Sequence, residues 1–363
     1  MINQNKTKIT RGQFFCMILQ TQIGTQLVSL PHNLQETAKG GAWISSLLMG
    51  VCIQIFIFLF GLLLNRFSGQ DFYQICIHIF GKWLGRVLCG IYSSFFLLAA
   101  AFTLMVYVKI AKAWVFPKTP HWFLLFVMLL TSVYLARSSL QVMSRVMVIA
   151  SLFLPSLFLL VAMGLSIANF TYPMPFLEVG WLKIIQTAFL ALPAFGGFEV
   201  ILFIYPYVHG TNKQKLMAAS LANALTTLIY TVLVYTSLAV FAPEEIAIVP
   251  EPLIYMLKAI RFSLVERLDL IFLNLGVLSS TTTLAIYLYI SGKGLKSINN
   301  HIAIKKVVPI IALIAALLTY VATDPFSVKY YEMKFIGIIP VFTFIIPVIC
   351  LLLSFFRKKE RLS

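Results

Sequence analysis

Residues 14–34 read FFCMILQTQIGTQLVSLPHNL, and residues 184–208 read IIQTAFLALPAFGGFEVILFIYPYV. Each is long enough to cross a bilayer, which needs about 20 mostly apolar residues. Each is also interrupted in the middle. The first carries Gln20, Thr21, Gln22, Gly24, Thr25 and Gln26 at its centre. Amides and hydroxyls are costly at bilayer depth unless they face protein or a wet cavity. Gly24 lets the chain leave helical geometry there, and Pro31 follows in the second half. In the second stretch Pro193 removes a backbone donor. Gly196 and Gly197 follow, and then Glu199, the one acid read inside a span.

Outward from these two stretches, apolar segments recur over 10–36, 41–65, 84–111, 120–137, 141–169, 181–208, 215–241, 264–291, 304–323 and 333–356. The pattern predicts an all-α membrane protein with ten spans in one domain, 1–363. Composition agrees. The chain is 60% hydrophobic and 11% charged, whereas a soluble domain sits nearer half apolar and a quarter charged. Two gaps carry structure of their own. Residues 69–81 place Phe72, Ile75, Cys76 and Ile79 on one helical face and read as a short interfacial helix. Residues 243–263 read as one or two surface helices on the outer side.

The two interrupted spans are the first and the sixth, so each opens a set of five. Five is odd, and the second set must therefore enter the membrane from the opposite side. This is the pattern of an inverted 5+5 repeat with paired broken helices, with repeat one about 10–169, repeat two about 181–356 and a tail at 357–363. At such breaks half-helix N-termini offer amides to an anion, and freed carbonyls attract a cation or ammonium. A small zwitterion between Gly24 and Gly196–Gly197 satisfies both.

The net charge of +16 comes from 28 Lys and Arg against 12 Asp and Glu. The basic residues lie in short gaps rather than along one soluble face, so the charge reads as membrane topology and not as nucleic-acid binding. With the N-terminus inside, 18 of the 28 fall on the inner side, and nine of the 12 acids fall on the outer side. Both termini are thus expected in the cytoplasm. The first segment lacks a small-residue cleavage site and reads as a retained helix. Cys16, Cys52, Cys76, Cys89 and Cys350 are widely spaced and form no metal-ligand pair. No cofactor is called for. No catalytic triad or carboxylate pair converges, so an enzyme is not expected.

Five segments carry a family resemblance: IGTQLVSLP at 23–31, GKWLG at 81–85, FGGFEVILFIYPYV at 195–208, ERLDLIFL at 266–273 and YLYISGKGLK at 287–296. The ten-span plan with broken first and sixth helices resembles the amino acid–polyamine–organocation transporters, whose fold is LeuT-like. More narrowly, the segments resemble the spore germination permeases, the B subunits of GerA-type germinant receptors. The resemblance implies a sensor of amino acids or other small nutrients in the spore inner membrane, surrounded by lipid and working with an A subunit and a C-type lipoprotein. A proton- or sodium-coupled amino acid transporter is the alternative. By analogy Gly24, Thr25, Gln26 and the stretch Phe195, Gly196, Gly197 and Glu199 line the pocket. Tyr107 in span three is a candidate gate, and Thr282, in the run Thr281–Thr283, a candidate contact from span eight. Where relatives often carry a bulky aromatic, this chain has Leu275-Gly276-Val277. His32 and Asp324 read as helix-end residues.

Overall fold

Helices dominate the computed structural model, which describes residues 8–260, 267–321 and 325–356. Asp324, Glu266 and the basic tail lie outside the described residues. Span one is built from α1 (Arg11–Gln22), a 3₁₀ turn (Thr25–Val28) and α2 (Leu30–Ala38). Lys39, at φ 50°, separates α2 from α3 (Ala42–Arg66). Then follow α4 (Phe72–Trp114), α5 (His121–Ala136), and α6 and α7 (Leu140–Ser151, Leu154–Ala162). Span six is made of α8 (Trp181–Ala188), α9 (Leu192–Phe195) and α10 (Ile201–Ile204), joined by 3₁₀ turns. Next are α11 (Asn212–Val240), α12 (Pro243–Ile248), α13 (Pro252–Ala259) and α14 (Leu268–Ile298). The described chain closes with α15 (Ile304–Val321), α16 (Pro325–Pro340), a π turn (Val341–Ile345) and α17 (Ile346–Phe356).

Six helical runs among the described residues are long and apolar enough to cross a membrane. The pair Trp181–Phe195 and Phe198–Tyr207, bent by 61°, makes a seventh. The shorter segments α1, α5 and α15 stand where the sequence reading puts spans one, four and nine. The chain is a multi-pass integral membrane protein.

Local sequence sets where several helices begin. Thr10, Asp71 and Thr211 each open a helix with a Gln three residues on, and in each case both capping bonds form. The Thr10 hydroxyl accepts from the Gln13 amide at 3.2 Å while Gln13 Oε1 accepts from the Thr10 amide at 2.8 Å. The same end of the bundle joins the two repeats. Ile9 pairs with the strand-like backbone at Tyr207–His209, donating to Tyr207 O at 2.8 Å and accepting from the His209 amide at 2.9 Å. The start of span one and the end of span six therefore meet at one membrane face, as opposite directions of travel require.

The short helix expected over 69–81 runs from Phe72 and ends at Gly81, whose φ of 82° breaks the regular geometry of α4. It does not lie free at the interface. Phe72, Ile75 and Cys76 are fully buried, because the chain folds back at Gly81 and Gly85 lets the Ile77 backbone approach. Tyr73 donates to Ile290 O at 3.0 Å, fastening the short helix to α14. Of the two expected surface helices, α12 does lie on the surface and inserts only Ile246, whereas α13 is packed in, with Leu253, Ile254 and Leu257 fully buried. At that end His32 Nδ1 sits 2.9 Å from Ile246 O.

Gly85→Val places side-chain atoms against the Ile77 backbone and is expected to lower the thermal stability of the purified protein markedly. Gly81→Ala meets no atom and carries only the strain of holding φ 82° and ψ 173°, a region essentially confined to glycine, of about 1–3 kcal/mol, so its shift should be the smaller of the two.

Candidate functional site

A membrane-spanning helix satisfies its own backbone, and a break frees donors and acceptors that need other partners. At the first break α1 stops at Gln22, and Ile23 and Gly24 are extended. The carbonyls left behind are met by side chains of two other helices. Thr283 Oγ1, on α14, lies 3.2 Å from Gln20 O and 3.4 Å from Thr21 O. The Tyr230 hydroxyl, on α11, lies 2.7 Å from Gln22 O. That hydroxyl is also 3.1 Å from Ala194 O, in the other broken span. One phenol thus reaches both breaks.

At the second break Gly196 is extended and Gly197 takes φ 113°. A side chain at 197 would sit 2.6 Å from the Thr21 backbone, so the two broken spans touch through this glycine. The Gly197 amide donates to Glu199 Oε2 at 2.8 Å, and the Tyr287 hydroxyl donates to Glu199 Oε1 at 3.3 Å. The acid in the membrane is therefore held by the backbone of its own break and by α14. It is almost completely buried.

Between the breaks lies a small cleft of about 50 Å³. Its polar wall is Thr21, Gln22, Gln26, Glu199, Thr283 and Tyr287, with Gly24 and Gly196 at the breaks. The opposite wall is apolar, built from Phe95, Ala99, Phe102 and Val106 of α4 and Phe335 and Ile339 of α16. Phe102 and Phe335 close that wall with ring centroids 4.8 Å apart. The Gln26 side-chain nitrogen is buried and has no hydrogen-bond partner among the described residues. A polar corner facing an aromatic wall suits a small molecule with a charged head and an apolar body.

The residues singled out from sequence fall in several places. Gly24, Gln26, Gly196 and Glu199 line this cleft. Thr25 opens the 3₁₀ turn after the first break. Tyr107 lines a second, apolar cavity, also of about 50 Å³, that shares Gly24 with the first. Phe195 points away and packs on Tyr230 at 4.9 Å between centroids. Gly197 serves the approach of the two spans. Thr282 bonds Ser279 O within α14, whereas its neighbour Thr283, 3.0 Å from the same carbonyl, also lies within reach of Gln20 O in the broken span.

Tyr230 has no sequence signal that marks it, Tyr287 is marked only as the first residue of the resembling segment 287–296, and Thr283 stands in the run Thr281–Thr283 with nothing to tell it from its neighbours, since the partners of all three are backbone atoms or an acid far away in the chain. Lys293 is a different case. It belongs to the SGKGLK run and was counted among inner-loop charges, but α14 continues to Ile298 and carries it into the protein. Lys293 Nζ meets Asp71 Oδ2 at 2.8 Å and donates to Phe203 O at 3.2 Å, with both side chains buried. Tyr207 completes the cluster, donating to Asp71 Oδ2 at 3.3 Å and placing its ring 4.2 Å from Nζ. Two steps of α14 therefore hold the half-helix of span six, Tyr287 at its start and Lys293 at its end.

Comparison with known proteins gives a consistent picture. The family model for spore germination proteins matches residues 8–328. The chain is 26% identical over 310 residues to spore germination protein GerQB of Bacillus cereus, covering 84% of each chain. It is 24% identical over 362 residues to spore germination protein A2 of Bacillus subtilis, covering 98% of each. Among solved structures it superposes on MhsT in complex with L-phenylalanine with a TM-score of 0.66 at 13% identity, over 93% of this chain and 87% of that one. A Na⁺-coupled sialic acid symporter gives 0.66 at 11% identity, over 94% and 78%. At these identities the likeness establishes the fold, an inverted repeat with broken first and sixth helices.

Two outcomes are expected. Lys293→Met or Asp71→Asn alone strands a buried charge and should cost about 3–5 kcal/mol. The double variant should recover most of that in a thermal-unfolding cycle. Tyr230→Phe removes the donor that serves both breaks and should cost about 1–3 kcal/mol in the same measurement.

Proposed function

Since the chain belongs to the spore germination permease family, we propose that it is the membrane-embedded B subunit of a germinant receptor, binding a small nutrient in the cleft between its two breaks. An amino acid is the nutrient class that fits best. The observation that carries this reading is the composition of the cleft. Glu199 offers carboxylate charge to an ammonium, the unpartnered Gln26 nitrogen offers a donor to a carboxylate, and the α4 and α16 rings face the side chain. The family is one of spore germination proteins and a fold relative is a symporter, which supports a binding rather than a catalytic role.

In this reading the subunit sits in the spore inner membrane with both termini cytoplasmic. It acts with an A subunit and a C-type lipoprotein. Ligand occupancy is transmitted along α14, because the helix that contributes Thr283 and Tyr287 to the cleft also carries Lys293 to the far end of span six. A different reading draws on the fold alone: the structures that superpose are transporters, one of them named as Na⁺-coupled. In that case the cleft would release its ligand across the membrane.

The two readings separate cleanly. Spores lacking other receptors, supplied with this chain and its partner subunits, should germinate on an amino acid, and vesicles holding this chain alone should show no concentrative uptake of labelled amino acids. Concentrative uptake without partners overturns the receptor reading in favour of transport. Gly24→Leu adds bulk to the cleft from a position where a Cβ meets no protein atom within 4 Å. It and Glu199→Gln should each abolish the response while the protein level in the membrane stays near wild type.

A further inference from the structure

At the membrane face opposite the Ile9–Tyr207 junction, where span one ends, the protein has a cavity of about 380 Å³. That volume falls within the ~300–1,000 Å³ of ordinary small-molecule sites. The cavity shares no residue with the cleft between the breaks. It is bounded by the end of α2 and the turn after it, by α12, by the loop 172–178 and by the end of α11.

These four pieces are fastened to one another. The Asn169 amide donates to Ala239 O at 2.7 Å, which ties the approach to the loop to α11. A Cβ at Gly40 would collide with the Pro173 carbonyl, so the loop lies directly against the turn after α2. The Gln35 side chain joins α2 to α12, its Nε2 donating to Pro243 O at 3.1 Å. His32 Nδ1, 2.9 Å from Ile246 O, makes a second link between the same helices. The cavity is therefore formed before any ligand arrives.

Its chemistry is set by Gln35. This side chain lines the cavity and is 2% exposed, and its Oε1 has no hydrogen-bond partner among the described residues. Turning the amide over gives no relief, because that would set its oxygen against the Pro243 carbonyl. The orphan atom is an acceptor, and a buried acceptor without a donor is unfavourable. Lys39, Glu178 and Glu244 line the same cavity, and none of them forms an ion pair among the described residues. Two carboxylates and an amide oxygen stand against one ammonium.

The ligand that matches this balance has the opposite one, two cationic donors and one carboxylate. We propose that the cavity is a second ligand site, for a small basic amino acid. Its ammonium groups meet Gln35 Oε1 and the two glutamates, and its carboxylate meets Lys39. An occupant bonds α2, α12 and the loop at once, and so holds the second half of span one against both. The proposal does not depend on how the cleft between the breaks is read.

The test uses the full chain in lipid nanodiscs, with L-lysine as probe in a direct binding titration. L-Norleucine, which lacks the second ammonium, and cadaverine, which lacks the carboxylate, are the comparison probes. Lysine should bind the wild type, and norleucine should bind about tenfold or more weakly for want of a charged donor. Glu178 and Glu244 are exposed, so Glu178→Gln and Glu244→Gln should fold normally and each weaken lysine about two- to fivefold. Lys39→Met should weaken lysine and leave cadaverine unchanged. Absence of lysine binding, equal affinity for norleucine, or full lysine affinity in both glutamate variants overturns the proposal. Loss of lysine binding in Glu199→Gln, with full affinity kept in the two glutamate variants, places the probe in the cleft and overturns it too.

Discussion

Two helices broken at bilayer depth must find partners for the backbone groups they release, and the rest of the fold is arranged around that requirement. Water is not available there to take up unpaired carbonyls and amides, and each one left bare costs several kcal/mol. The chain answers with side chains from two continuous helices. Tyr230 of α11 lies within hydrogen-bond distance of Gln22 O and Ala194 O, and Thr283 of α14 meets Gln20 O and Thr21 O. The Gly197 amide is taken by Glu199 from its own break. Long unbroken helices hold short broken ones, and the cleft is the space that this bracing leaves between them.

The same bracing explains how a small ligand could have a distant effect. Span six is short-segmented and bent by 61°, so its inner half has little rigidity of its own. It is fixed through α14 at Tyr287–Glu199 and again at Lys293–Phe203 O. The Lys293–Asp71 pair adds the short helix that begins α4 to this assembly. A buried pair of this sort has an ambiguous net effect on stability, but separating its members is strongly unfavourable. It favours a small number of discrete arrangements over continuous flexing.

The polar residues of α11 extend the argument away from the cleft. Gln22 is held by Asn223 at 3.3 Å and Thr226 at 3.2 Å, and Asn223 donates onward to Gly50 O at 3.0 Å. A first span dense in amides is thus tolerated because a facing helix supplies matched partners. That burial pattern distinguishes a structural amide such as Gln22 from Gln26, whose side-chain nitrogen is left without one.

The sequence by itself determined the solvent, the fold and the location of the breaks. Apolar run length and the clusters at Gln20–Gln26 and Pro193–Glu199 are local properties, and their places in spans one and six require opposite entry into the bilayer. It also placed Gly24, Gln26, Gly196 and Glu199 near one another, because the repeat brings the breaks together. Only the tertiary structure decided which residues complete the site. Tyr230, Thr283 and Tyr287 meet atoms far away in the chain, and although the Thr281–Thr283 run and the segment from Tyr287 stand out locally, nothing local says which of their residues turns toward the breaks. The roles of Thr282 and Thr283 differ by one step of about 100° around α14, which no composition reveals. Lys293 reads as a loop cation until the helix is seen to extend past it. Pairing, register and open volume are properties of elements brought together, and a linear pattern holds only the elements.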